Sequence, residues 1–516
     1  MSVIQGRQLD VATAPRTLDA DVVVVGSGAG GGAFAAELAE AGVRVVIVEE
    51  GGYYRTADFT TDAMDMVKKL YRNAGAMMAM GRPNVNFMEG RCVGGSTVIN
   101  AGISWRTPNR ILKQWGWEFG LEGFGPDEMV QHFEKVEQRV HVAPQDEVTY
   151  GGDAWVFKEG CDRLGYRWLP VHRNQKHCVG TNNCIFGCPT GAKQSVLVTY
   201  IPRALQAGAT LLSDCRVTRV VHANGRASGI EAEFLDASGA VVAPVTVNAR
   251  HVVVCAGAVQ TPVLLKRSRV PDRHRQIGAH MMLHPNSKVI GIFDQELKAW
   301  KGAIQGVQIT EFMEEGLLFG TTFVPPSVHS LTLPFWGAEA QALMSHLNHM
   351  VTGAVLVEDS DSEGQVRVGL GGEAAMSYTL GPNDFHRLQR GIAILSEIYF
   401  AAGAREVQLP FHNLPRLHSV DELPRIFEPH LKPNDLEVLT VHAMCTARMG
   451  TDPRRSATDS WGRVHGMENL HVADASLFPG PIGVNPQITI MALATRNAQR
   501  LLQTMGVTPA EWRAGA

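Results

Sequence analysis

No stretch of this sequence approaches the 18 or more consecutive apolar residues that a membrane-spanning helix needs. Residues 1–20 also lack a basic start followed by an apolar run, so no secretory signal is visible and the chain reads as cytoplasmic by default. Neither sign of charge is in excess: a formal net charge of −4 supplies no basic field for nucleic acid or anionic lipid, and neither partner is expected. Internal repeats and low-complexity segments are missing, which excludes a solenoid or a linker-rich chain. The eight cysteines are not spaced as a secreted disulfide framework. What is present is the composition of a compact protein, 45% hydrophobic and 19% charged, in 516 residues that can form two or more structural units.

The strongest positive signal lies in residues 21–52. Val22–Val25 form a β-branched run suited to a buried strand, Gly26-x-Gly28-x-x-Gly31 a turn, Ala33–Ala41 an Ala-rich helix, and Val45–Val48 a second strand ending at Glu49. Gly26 permits the tight turn, Gly28 lets main chain approach a pyrophosphate, and Gly31 lets helix and strand pack closely. Phosphates then sit at the positive end of the helix. Glu49, about 20 residues on, stands where a carboxylate accepts hydrogen bonds from an adenosine ribose. Together these spacings specify a dinucleotide site.

Further along, Gly90-Arg91-Cys92-Val93-Gly94-Gly95-Ser96-Thr97-Val98-Ile99-Asn100 is small enough for main chain to approach a flat or charged ligand. Residues 125–140 and 152–165 read as helices, and 243–256 as a strand ending in a Gly turn. The segment from Gln260 reads as a helix with Pro262 in its first turn. Around Leu283-His284-Pro285 the character changes to short alternating segments separated by Gly and Pro, with one good helix at 382–402. Residues 468–475 return to a buried strand, and Ile488–Met505 close the chain as a helix.

With these residues in place the chain resembles the glucose-methanol-choline (GMC) oxidoreductases, FAD enzymes that oxidise alcohols. Four blocks carry the resemblance: Gly26–Gly52; Gly90–Pro108; Gly257–Leu265; and His442–Gly450 with Val472-Ala473-Asp474 and Gly483-Val484-Asn485-Pro486. It implies an α/β fold whose Rossmann-like FAD-binding domain, residues 18–290 and 436–511 with a Cys-rich loop at 177–195, is interrupted by an antiparallel-sheet α+β substrate-binding domain, residues 291–435.

The resemblance also implies roles. His442 is the general base for the alcohol proton, with hydride passing to flavin N5, and Asn485 holds the alkoxide oxygen. Gly94, Gly95, Ser96 and Asn100 contact the FAD, Asp474 and Ala475 lie along its ribityl and pyrophosphate portion, and Pro486 fixes main chain at the pyrimidine edge. Some relatives carry a histidine bonded covalently to the flavin where this chain has Ile99, so FAD is expected to be noncovalent.

Two branches are resembled. Lys193-Gln194-Ser195, with the cysteines before it, is similar to the long-chain alcohol oxidases and dehydrogenases. Cys178-x5-Cys184-x3-Cys188 is also similar to the catalytic subunit of bacterial FAD glucose dehydrogenases, where three such cysteines hold a 3Fe-4S cluster. A cluster, a zinc site completed by His177, and a metal-free loop of buried thiols all remain open at this point. With a cluster, electrons would pass to a cytochrome or quinone and a small carrier or electron-transfer subunit would accompany the chain, which leaves export with that partner open; without one, oxygen or a quinone would serve. Leu317-Leu318-Phe319, residues 331–336 and Met344 favour a primary alcohol on an apolar or aromatic body over a free sugar. The family resemblance further covers FAD-containing cyanohydrin lyases.

Overall fold

The computed structural model describes residues 2–330, 333 and 335–508. Residues 331, 332 and 334 of the apolar segment, and 509–511 of the expected C-terminal bound, lie outside the described residues.

Val22–Val25 belong to the strand Thr17–Val25 and are buried, as a β-branched run in a parallel sheet covered on both faces must be. The sheet runs in the order Ser2–Gln5, Thr210–Ser213, Val45–Val48, Thr17–Val25, Val241–Val254, Arg226–Leu235, Cys215–Ala223. One long strand joins its two halves. Val241–Val254 pairs antiparallel with Arg226–Leu235 through its first part, then parallel with Thr17–Val25 and, at its end, with Leu470–Val472. The glycine turn opens the helix Ala29–Glu40, four residues earlier than the Ala run alone suggests, and this helix packs on Gln487–Thr504. Leu470–Val472 is also shorter than the expected strand 468–475.

A twelve-stranded sheet builds the second unit. Its central strands Asn286–Ile292, Met350–Val357 and Leu317–Thr321 are antiparallel, with Glu406–Phe411 and Leu414–Leu417 branching from the first. Helices Pro382–Ala401 and Gly152–Leu164 cover one face and bury an apolar core of their own. The span 291–435 does not build this sheet alone: Met77–Arg82, Val85–Phe87, Trp168–Pro170 and Val438–Thr440 join it from outside, so the two units interlock.

The helix expected from Gln260 begins instead at Gly257 and runs to Arg267, which puts Pro262 in its interior. Proline there removes the N–H that would bond the Ala258 carbonyl. The Thr446 hydroxyl takes that carbonyl at 2.6 Å, so the irregular turn is satisfied by the loop that follows His442. Among the described residues no helix is long and apolar enough to cross a membrane.

Candidate active site

Between the two sheets lies one cavity of about 1290 Å³, larger than the ~300–1,000 Å³ of a site for one drug-sized ligand. It has room for a dinucleotide and a second molecule. Gly26, Gly28, Glu49, Gly95, Ser96, Asn100, Asp474, Ala475, Asn485, Pro486 and His442 all line it. Gly31 and Gly94 are not on its wall.

The glycines are there because side chains would not fit. Gly26 has φ +97°, and a Cβ on it would overlap the Cys255 carbonyl oxygen. A Cβ on Gly31 would overlap the Gly26 carbonyl, so this residue serves packing. Gly30, which the three-glycine spacing does not include, is as tightly constrained: its Cβ would run into the Ala473 carbonyl. Gly28 and Gly95 face each other as bare main chain at the cavity wall, where a Cβ on Gly95 would lie 2.8 Å from the Gly28 Cα. This is a cradle that main chain alone can line, and it fits the diphosphate of FAD.

Several polar residues on the wall are braces as well as lining. Glu49 accepts the Ser27 N–H at 3.0 Å, the Ser27 hydroxyl at 2.7 Å and the Gly51 N–H at 2.9 Å. Ser27 Oγ in turn accepts the Gly94 N–H at 3.1 Å, which ties the glycine turn to the 90–100 loop. Asp474 accepts the Gly257 N–H at 2.9 Å, the Thr261 hydroxyl at 2.5 Å and both donors of Ser476, joining three loops. Burial pushes both carboxyls up, and these donors oppose it. Ser96 Oγ accepts the Gly90 N–H at 3.0 Å, and Asn100 donates to Gln487 Oε1 at 3.0 Å. Pro486 stands at the start of the 18-residue helix Gln487–Thr504, whose first turn faces the cavity.

His442 and Asn485, 43 residues apart, meet with Nε2 and Nδ2 at 3.4 Å. Thr440 fixes the His442 main chain by accepting its N–H at 3.1 Å and donating to the Leu283 carbonyl. A third residue, which sequence reasoning marked only as a boundary, completes the group. His284 is buried, with its ring perpendicular to that of His442 and Nδ1 3.3 Å from His442 Nδ1. His284 Nε2 accepts the N–H groups of Ile482 and Gly483 at 3.2 and 3.1 Å. Its proton is therefore on Nδ1 and is donated to His442 Nδ1, which leaves the proton of neutral His442 on Nε2; Nε2 and Asn485 Nδ2 are then both donors, and their 3.4 Å approach is a contact that a substrate oxygen can bridge. Burial lowers His442 to about 4 and His284 well below the ordinary histidine value. With carbon-13-labelled histidine, we expect the His442 and His284 ring signals to stay constant from pH 5.5 to 8, because both rings are neutral throughout; titration near pH 6.5 would contradict this.

The cysteine loop is built differently from a cluster cage. Cys178, Cys184 and Cys188 surround a cavity of only about 10 Å³, about one water. Arg173 Nη2 donates to Cys184 Sγ at 2.9 Å, and the Lys193 N–H to Cys188 Sγ at 3.3 Å. Among the described residues no three His, Cys, Asp or Glu side chains are grouped to hold a metal. The expectation of a 3Fe-4S cluster thus finds no support, and these residues do not fit one. Lys193 is buried and spends its three donors on the carbonyls of Val98, Asn100 and Cys184, at 2.5, 2.8 and 2.6 Å. It pins the loop to the cavity wall beside Ile99. Iron analysis of the purified holoprotein should find none in stoichiometric amount; three irons per chain would contradict the bracing role.

Comparison with known proteins agrees with this architecture. The chain belongs to the GMC oxidoreductase family: the N-terminal GMC oxidoreductase domain matches residues 67–286, the C-terminal domain residues 352–494, and an FAD binding domain residues 21–74. It is an FAD-dependent oxidoreductase of the alcohol-oxidising class. An uncharacterised GMC-type oxidoreductase of Mycobacterium tuberculosis is 36% identical, over 96% of this chain and 78% of that one. A long-chain-alcohol oxidase of Arabidopsis thaliana is 28% identical over 92% of this chain and 68% of the relative. Among solved structures, pyridoxine 4-oxidase from Mesorbium loti superposes with TM-score 0.71 at 17% identity, covering 94% of this chain and 99% of that one. Formate oxidase of Aspergillus oryzae superposes with TM-score 0.73 at 16% identity, covering 96% and 100%. These two similarities establish the fold alone.

Proposed function

We propose that the protein oxidises a primary alcohol on an apolar body to the carbonyl, with His442 taking the hydroxyl proton and Asn485 holding the oxygen. The observation that carries this reading is the meeting of His442 and Asn485 on the wall of the cavity that the glycine cradle also lines. Gly26, Gly28, Gly95, Ser96, Asp474, Ala475 and Pro486 would hold FAD, with Gly31, Gly94, Glu49 and Asn100 shaping the loops around it. Bound there, FAD supplies the hydride acceptor.

The protein's own part is positioning and proton handling. A substrate oxygen against His442 Nε2 lies within reach of the Asn485 amide, whose Nδ2 can donate to it. To accept a proton at Nε2, His442 must carry its own on Nδ1, and His284 must then accept there. That reversal requires the Ile482 and Gly483 N–H groups to release His284 Nε2. Proton acceptance is thus coupled to the 482–485 segment, which also carries Asn485.

The hydrocarbon preference rests on only part of what the sequence suggested, Leu333, Phe335 and Trp336, joined on the cavity wall by Leu436 and Val438. Leu317, Leu318, Phe319 and Met344 are not on that wall, and Leu317 and Phe319 belong to the core. The electron acceptor we assign is oxygen or a quinone taking electrons directly, in place of a relay through a cluster. Turnover of a medium-chain primary alcohol against glucose, with an artificial acceptor, tests the substrate class; turnover of glucose alone would overturn it. Because Ile99 offers no atom for a bond to the flavin, acid precipitation should release all yellow colour into the supernatant, and colour kept in the pellet would contradict noncovalent binding.

A further inference from the structure

The cavity contains a cation that the proton-handling group does not use. Lys288 stands on the strand Asn286–Ile292, on the face it shares with Asn286, and both line the cavity. Its cross-strand neighbour is the small Ala354, which leaves space above the strand. Protein encloses Lys288, and what surface it exposes faces the cavity. Among the described residues its ammonium has no hydrogen bond and no ion pair within 4 Å. The charge acting on it is that of Glu437, whose own carboxyl is pushed up by burial and is opposed by His412 and Lys288; Lys288 acts in turn on His329. Among the described residues Asn286 Oδ1 and Gln305 Oε1, also on the cavity wall, are buried without partners. An enclosed ammonium without a partner is costly unless a ligand completes it.

We propose that Lys288 receives the carboxylate of a substrate whose hydroxyl end stands at His442, so that the preferred alcohol is a hydroxy acid with an apolar chain between its two ends. This rests on the alcohol-oxidising reading of His442 and Asn485. The strand register sets the span. Asn286 is paired with Leu439, so Lys288 lies toward residue 437 and His442 beyond residue 440, in opposite directions along the sheet. From residue 437 to Thr440 the chain advances about three residue rises, or ~10 Å, and His442 lies beyond the strand's end. Leu436 and Val438 border this path, with Leu333, Phe335 and Trp336 also on the wall, and these are apolar. One ammonium beside the Glu437 carboxyl suits a single negative charge better than the double charge of a phosphate ester.

The test measures kcat/KM of the FAD-loaded enzyme for 12-hydroxydodecanoate, dodecane-1,12-diol and 1-dodecanol, in the wild type, Lys288→Met and Lys288→Arg. The wild type is expected to prefer the hydroxy acid over the diol by about 10-fold or more through KM, as a desolvated charge-assisted contact would give. Lys288→Met should bring that ratio close to one, and Lys288→Arg should retain most of it. Equal ratios in wild type and Lys288→Met would overturn the assignment while leaving alcohol oxidation standing. If Lys288→Met fails to retain FAD, the wild-type preference decides alone, and a diol used as well as the hydroxy acid overturns the proposal. Failure of all three compounds to reduce the wild-type flavin would overturn the alcohol reading itself, and this assignment with it.

Discussion

His442→Ala should keep its FAD and lose most of its activity, with flavin reduction by alcohol slowed by about 10²–10⁴, the usual scale for removing a general base. FAD retention is expected because the glycine cradle and its Glu49 and Asp474 braces are built from other segments and make no use of the His442 side chain. Asn485→Ala should cost less, since it removes one oriented hydrogen bond and leaves the proton acceptor in place. Rapid mixing of each variant with alcohol under anaerobic conditions reads both effects. Reduction of His442→Ala at the wild-type rate would remove this residue from the mechanism.

Gly30→Ala should cost the protein its cofactor. Gly30 lies in the first turn of Ala29–Glu40, and the added methyl would run into the Ala473 carbonyl. The helix start and the 473–475 loop both line the cavity, so neither can retreat without opening the site. Both obstructing atoms are main chain in a closely packed region, where overpacking typically costs 1–3 kcal/mol or more. The purified variant should be colourless or should release FAD on gel filtration, whereas a fully yellow Gly30→Ala protein would show that the two segments have slack. Ala is an ordinary helix former, so any loss here reflects the contact with Ala473 and not helix propensity.

Local signals were the most legible part of this chain. The turn at Gly26–Gly31 and the helices near 126–139, 152–164, 382–401 and 487–504 follow from spacings within one element, so periodicity finds them. Gly30 escaped because its constraint comes from Ala473, which no local pattern reveals. Strands Met77–Arg82 and Val85–Phe87 sit among Gly, Asn and Met residues without clean alternation, and their membership of the second sheet depends on pairing with residues far away in the chain. His284 looked like a boundary because Pro285 follows it; its role appears only once His442, from 158 positions later, stands against its ring. The cysteines illustrate the converse. Their spacing permits a ligand set, but Arg173 and Lys193 occupy two of the thiols, and a cysteine count carries no information about either.

The account stands most directly on whether alcohol reduces the bound flavin. Purified holoprotein mixed anaerobically with 1-dodecanol or 12-hydroxydodecanoate should lose its yellow colour, and the aldehyde should appear in an amount equal to the FAD. Full retention of the oxidised spectrum with both compounds, or bleaching without aldehyde, would contradict it.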